Sequence, residues 1–137
     1  MSRRKAREFA LQLLFQLDFT NSELNDDIWN EFWTGTDVDN ETKDFALSLV
    51  TGTQENIGTL DDTITKTADN WSVDRMAVVD RNILRAAAYE LFYRDDIPHA
   101  VTINEAVEIA KKFSSEDSSL FINGILDKIH RLKANTS

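Results

Sequence analysis

Apolar positions recur along this chain with helical spacing almost from its first residue. Ala6, Phe9, Ala10, Leu13, Leu14 and Leu17 stand at i, i+3, i+4, i+7, i+8 and i+11. That spacing lays a continuous stripe on a helix from about residue 3 to 18. A polar loop at 21–25 precedes Asp26 and Asp27, either of which can cap a short helix carrying Ile28, Trp29, Phe32 and Trp33. A loop at 34–39 contains Gly35. From near Asn40 a longer helix sets Phe45, Leu49 and Gly52 at close-packing spacing, and it is expected to break near Gly58. Leu60, Ile64 and Ala68 mark the next helix, and Ser72 starts a short helical turn.

The segment 79–93 is apolar on nearly every side except at Asp80, Arg81, Arg85 and Glu90. That pattern belongs to a central, buried helix. Asp95-Asp96-Ile97-Pro98 stops it, because the residue before proline leaves the helical region. Thr102-Ile103-Asn104-Glu105 reads as a capping box opening a helix with Ile103, Ala106, Val107 and Ala110 on one face. The last helix begins around 115–117 and buries Phe121, Ile122, Ile125, Leu126 and Ile129. Gly124 lies inside it, where glycine costs about 1 kcal/mol against alanine, so close helix packing is expected there. No strand-like alternation persists. The fold class expected is all-α, in one domain spanning residues 1–137.

Composition narrows the chemistry. The 137 residues include no cysteine, two histidines and one proline. Thiol catalysis, thiolate metal sites and disulfides are excluded together. His99 and His130 have no metal-ligand spacing, and no glycine-rich phosphate loop or nucleophile motif appears. Asp95-Asp96 and Glu116-Asp117 flank helix ends, where acids serve as caps and turn residues. The reading is of a binding protein, not an enzyme, with no cofactor and no metal. No signal peptide and no membrane-spanning run is seen, so a cytoplasmic location is expected.

Net charge is −9, but it is unevenly distributed. Residues 1–17 carry Arg3, Arg4, Lys5 and Arg7 against Glu8 alone. Residues 18–74 carry fourteen acids against Lys43 and Lys66, and the remainder balances. A nucleic-acid contact is therefore confined to the basic arm and its neighbours. On the first helix, at roughly 100° per residue, Leu11, Phe15 and Phe19 share the side opposite the core stripe, flanked by Arg4, Lys5 and Arg7. A second layer of helices could cover this line. Alternatively it is exposed, and exposed aromatics beside cations suit single-stranded RNA, where rings stack on bases and cations hold phosphates. Arg81 and Arg85, one turn apart, read as a solvated or salt-bridged edge. Trp29, Trp33 and Trp71 read as core or interface residues.

Several blocks resemble one family. Residues 80–94 (DRNILRAAAYELFYR), 95–113 (DDIPHAVTINEAVEIAKKF) and 114–129 (SSEDSSLFINGILDKI) are similar to the NusB family, as are the N-terminal Arg-Arg-Lys-Ala-Arg-Glu and 45–61 (FALSLVTGTQENIGTLD). Only 21–40 is poorly matched. The resemblance implies about seven helices in two packed bundles. It implies pairing with the small-subunit ribosomal protein NusE and recognition of single-stranded boxA RNA in nascent, notably ribosomal, transcripts. It further implies a place in the antitermination complex on RNA polymerase. Carried over by position, Arg3, Arg4, Lys5, Arg7, Phe15 and Phe19 form one part of the RNA surface, and Phe113, Asp117 and Phe121 the other. Asp117 could read a base amino group. Asp80 is implied on the NusE side. Ser114 stands where glycine is common, and Leu120 where some relatives carry a base. Two further readings stay open: a self-associating scaffold, since some relatives form homodimers that cover the RNA surface, and an accessory domain of an RNA methyltransferase.

Overall fold

The computed structural model describes residues 1–136, and it is helical throughout, with no strand among the described residues. The helices are α1 (Arg3–Thr20), α2 (Asp26–Trp33), α3 (Asn40–Glu55), α4 (Ile57–Thr67), α5 (Val78–Tyr93), α6 (His99–Phe113) and α7 (Glu116–Thr136), with one 3-10 turn at Val73–Arg75. Short polar side chains start several of them. Ser2, Asn25 and Asp39 each accept from a backbone amide in the first turn of α1, α2 and α3, satisfying a donor the helix cannot. Asn21 ends α1 in the left-handed conformation, at φ 52°, a region where asparagine is one of the tolerated residues.

Two apolar cores result. The first joins Ala6, Ala10, Leu13, Leu14 and Leu17 of α1 to Trp33 and to Phe45, Ala46, Leu49 and Val50 of α3. The second joins α4, α5, α6 and α7 through Leu60, Ile64, Leu84, Ala88, Ile109, Ile122, Leu126 and Ile129. Helix α5 divides the two, and Tyr89 packs against both. This is the two-bundle, seven-helix arrangement that the resemblance implies. Gly52 lets α3 come close to α5: a Cβ there would run into the Tyr89 ring.

The break between α3 and α4 falls at Asn56, near Gly58 as expected, and the Asn56 side-chain amide donates to the Gly52 carbonyl at 2.8 Å. Two local expectations change. Helix α6 starts at His99, directly after Pro98, so Thr102 caps nothing. Its hydroxyl is buried and donates to Glu90 at 2.9 Å. Gly124 faces open space instead of a neighbouring helix, so tight packing is not its reason.

Candidate nucleic-acid interface

Helix α1 carries the basic arm at its start and the aromatic pair near its end. Phe15 is 38% exposed and Phe19 77% exposed. One turn apart, their rings lie nearly parallel, at 5°, with centroids 6.4 Å apart. The line foreseen opposite the core stripe splits. Leu11 is buried in the second core, sharing a small cavity with Ala106 and Ile109 of α6, while Phe15 and Phe19 stay outside.

Ion pairs fix how α6 runs beside α1. Arg4 binds Glu105, and Lys112 binds Glu8 at 2.9 Å, so the two helices run side by side in the same direction. Helix α6 therefore ends alongside the middle of α1, and the α6–α7 turn arrives next to the aromatic half. Phe113 is half-buried at that turn with Lys112 Nζ 5.2 Å from its ring centre. Asp117 is exposed in the first turn of α7, and Phe121 is half-buried one turn further on. Phe121 meets Trp71, ring centres 5.3 Å apart.

The arm itself is smaller than the sequence suggests. Arg7 is not part of it. Its side chain is 6% exposed and makes a two-pronged contact with Glu90, at 3.0 and 2.8 Å, and Glu90 is itself 3% exposed. The reason is register: Arg7 lies three and four residues before Ala10 and Leu11, so it points into the junction of α1, α5 and α6. Arg4 is partly engaged by Glu105. Arg3 and Lys5 are exposed and have no acidic partner within ion-pair distance among the described residues; they lie over Phe45 and Phe9 respectively. From Arg3 to Phe15 the helix rises about 18 Å, so only an extended strand, not one nucleotide, can touch both.

Asp80 opens α5 and is taken up internally. One carboxylate oxygen accepts from the Ser114 hydroxyl at 2.8 Å and the other from Ser118 at 2.9 Å. Ser115 in turn accepts from the Ser118 amide at 3.0 Å, capping α7. The α6–α7 turn is thus tied to the central helix by the same Ser114 that stands where the resemblance implies glycine is common. Each Asp80 oxygen keeps further acceptor capacity. Beside it, Arg81 forks onto Asp18 at 2.8 and 2.9 Å, and Arg85 reaches Asp18 at 3.0 Å and Asp61 at 2.7 and 2.8 Å. These arginines form a salt-bridged edge that locks α1 and α4 onto α5. Burial works to raise the Asp18 pKa. Hydrogen bonds from Arg81 and Asn82, with the charges of Arg85 and Arg81, outweigh it and hold the carboxyl below its usual range.

Residues 4–131 match the NusB family model. The chain belongs to the NusB family. NusB relatives include the transcription antitermination protein NusB of Thermodesulfovibrio yellowstonii, 46% identical over 94% of this chain and 91% of that protein. The NusB of Geotalea daltonii is 48% identical over 93% of each. Among solved structures, T. maritima NusB is 40% identical, covering 96% of this chain and 92% of that one, with a TM-score of 0.84. A chain from a complex of the antitermination factors NusB and NusE with double-stranded RNA is 27% identical, covering 95% and 96%, with a TM-score of 0.85.

Sequence reasoning missed two features of the surface around α1 and the start of α7. One is Lys112, which looks like an ordinary surface base until α6 is laid beside α1. The other is the exposure of Trp71. Asp69-Asn70, a pair that tolerates left-handed backbone, was the available signal that the chain turns sharply there. Among the described residues no group of three or more His, Asp or Glu side chains converges on a metal-sized space. The rings of His99 and His130 stack on each other, centres 3.6 Å apart. No helix of the described residues is long and apolar enough to cross a membrane.

Proposed function

We propose that this chain is a transcription antitermination factor that, with NusE, binds single-stranded boxA-like RNA in nascent transcripts, notably ribosomal RNA. It then joins the antitermination complex on RNA polymerase. The observation that carries the reading is the likeness, over nearly the whole chain, to NusB in a complex with NusE and RNA. The exposed Phe15–Phe19 pair, on the helix that begins with Arg3 and Lys5, supplies the matching chemistry. The role is binding without catalysis, in the cytoplasm, by one domain that uses no cofactor.

In this reading Phe15 and Phe19 stack on bases, and Arg3 and Lys5, with a share from Arg4, hold phosphates. Phe113, Asp117 and Phe121 extend the surface, with Asp117 accepting from a base amino group. Arg7 is left to hold α1 on α5. Asp80, with its remaining acceptor capacity, is kept for the NusE side, where its bonds to Ser114 and Ser118 would couple that partner to the α6–α7 turn. Homodimerisation through the Phe15–Phe19 face would compete with RNA.

The test is RNA affinity against salt. Phe15→Ala is expected to cost about 1–3 kcal/mol of binding, the worth of one stacked base. Removing Arg3 and Lys5 together is expected to reduce the salt slope by about 1.4, from two phosphates on a single strand. RNA binding that survives all of these changes would overturn the assigned surface.

A further inference from the structure

Trp71 is 48% exposed, and neither core accounts for it. Helix α4 ends at Thr67, and Asp69 and Asn70 both adopt left-handed backbone, at φ 55° and 65°. The Asn70 amide donates to the Thr65 carbonyl at 2.9 Å and the Trp71 amide to the Ala68 carbonyl at 3.0 Å. Two consecutive left-handed residues reverse the chain sharply. They set the indole against Phe121, with ring centres 5.3 Å apart and planes 58° apart. Val73, two residues on, is buried and fills the core from this turn. The turn therefore has its apolar anchor without Trp71.

Two neighbours bear on what the exposed indole face meets. Arg75 lies in the adjoining 3-10 turn, exposed and with no acidic partner within ion-pair distance among the described residues. Arg81 binds Asp18 of α1 and also reaches the Asp74 carbonyl at 3.4 Å. That bridge links the Trp71 turn to the part of α1 that carries Phe15 and Phe19. The Trp71–Phe121 pair is thus continuous with the surface already assigned to RNA.

We propose that Trp71 is a further base-stacking residue, receiving an unpaired nucleobase on its open face, with Arg75 beside it to meet the flanking phosphate. The inference rests on the RNA-binding reading above. Stacking on an indole tolerates any base, so Trp71 lengthens the bound strand and adds affinity without choosing its sequence.

The experiment measures anisotropy of a fluorescein-labelled, boxA-like single-stranded RNA with wild type, Phe15→Ala, Trp71→Ala, Trp71→Leu and Trp71→Phe, each checked for an unchanged melting temperature. Trp71→Ala and Trp71→Leu are both expected to weaken binding about ten-fold, with Trp71→Phe retaining most of the affinity. A loss in Trp71→Ala that Trp71→Leu restores would make Trp71 an apolar cover for Phe121 and overturn the proposal. So would binding equal to wild type in all three while Phe15→Ala is weakened, which leaves the RNA reading standing. RNA binding unchanged while self-association or NusE affinity falls would place Trp71 in a protein interface, again against the proposal. No binding by wild type would sink the RNA reading itself.

Discussion

Replacing Arg7 with methionine separates a structural arginine from an RNA-binding one. Glu90 accepts three hydrogen bonds, from Arg7 Nε at 3.0 Å, Arg7 Nη2 at 2.8 Å and Thr102 Oγ1 at 2.9 Å. Methionine keeps the length of the side chain and none of its donors. The carboxylate is left buried with one hydroxyl for company. The adjoining cavity, of about 30 Å³ between Leu11, Ile83, Ala87 and Ile109, has room for roughly one water. That is too little to hydrate an ion. Breaking a buried pair from one side costs about 3–5 kcal/mol, against a total stability of about 5–15 kcal/mol for a domain of ordinary stability. With a urea m-value near 2 kcal/mol per molar, the midpoint should fall by roughly 2 M. Urea unfolding followed by circular dichroism reads this directly. The double variant Arg7→Met, Glu90→Leu should recover most of the loss, because no orphaned charge remains. RNA affinity of the folded single variant should stay at the wild-type value. An Arg7→Met protein as stable as wild type, but with weaker RNA binding and a shallower salt dependence, would refute the reasoning and return Arg7 to the arm.

Asp18 gives a pH signature. Its carboxyl titrates lower in the folded state than its ordinary value, so its contribution is full above about pH 3.9 and is lost as pH falls through the folded pKa. Melting temperatures of wild type and Asp18→Asn should differ most near neutrality and converge in acid; a gap independent of pH would contradict the assignment. Gly52→Ala should destabilise by about 1–3 kcal/mol through overpacking against the Tyr89 ring, and Tyr89→Leu should relieve much of that in a double variant analysed by urea unfolding. Gly124→Ala, in open space within α7, should instead stabilise by about 0.5–1 kcal/mol. A destabilised Gly124→Ala in thermal melts would mean that something covers that position.

Helix existence and type were legible because apolar spacing is a local property. Ala6 to Leu17 marks the buried stripe of α1, and the nearly all-round apolar α5 announces its place between two cores. What the pattern could not convey is which helix lies against which. Leu11 and Phe15 are equivalent on an isolated wheel, yet Leu11 is taken into the second core beside α6 and Phe15 is left open. Arg7 looked like its neighbours Arg4 and Lys5 because its partner, Glu90, lies 83 positions away. Thr102 satisfied a capping pattern, while Pro98 had already started the helix and the hydroxyl was needed by Glu90. Gly124 suggested contact, though a glycine in a helix carries no record of what faces it.

The family resemblance supplied proposed RNA contacts that periodicity alone could not choose. Phe113, Asp117 and Phe121 lie on elements that meet α1 only after folding. The structure brings their turn beside the aromatic half of α1 through Arg4–Glu105 and Glu8–Lys112, and ties it down through Asp80. Trp71 lay outside the family-derived set, and its exposure became visible only once the left-handed turn at Asp69 and Asn70 was placed.

The most direct test of the central claim is the anisotropy of a labelled boxA-like single-stranded RNA titrated with this protein, with and without NusE. The account predicts binding that NusE strengthens and that a scrambled RNA of equal length and composition loses. Equal binding to both RNAs, or no effect of NusE, would contradict it.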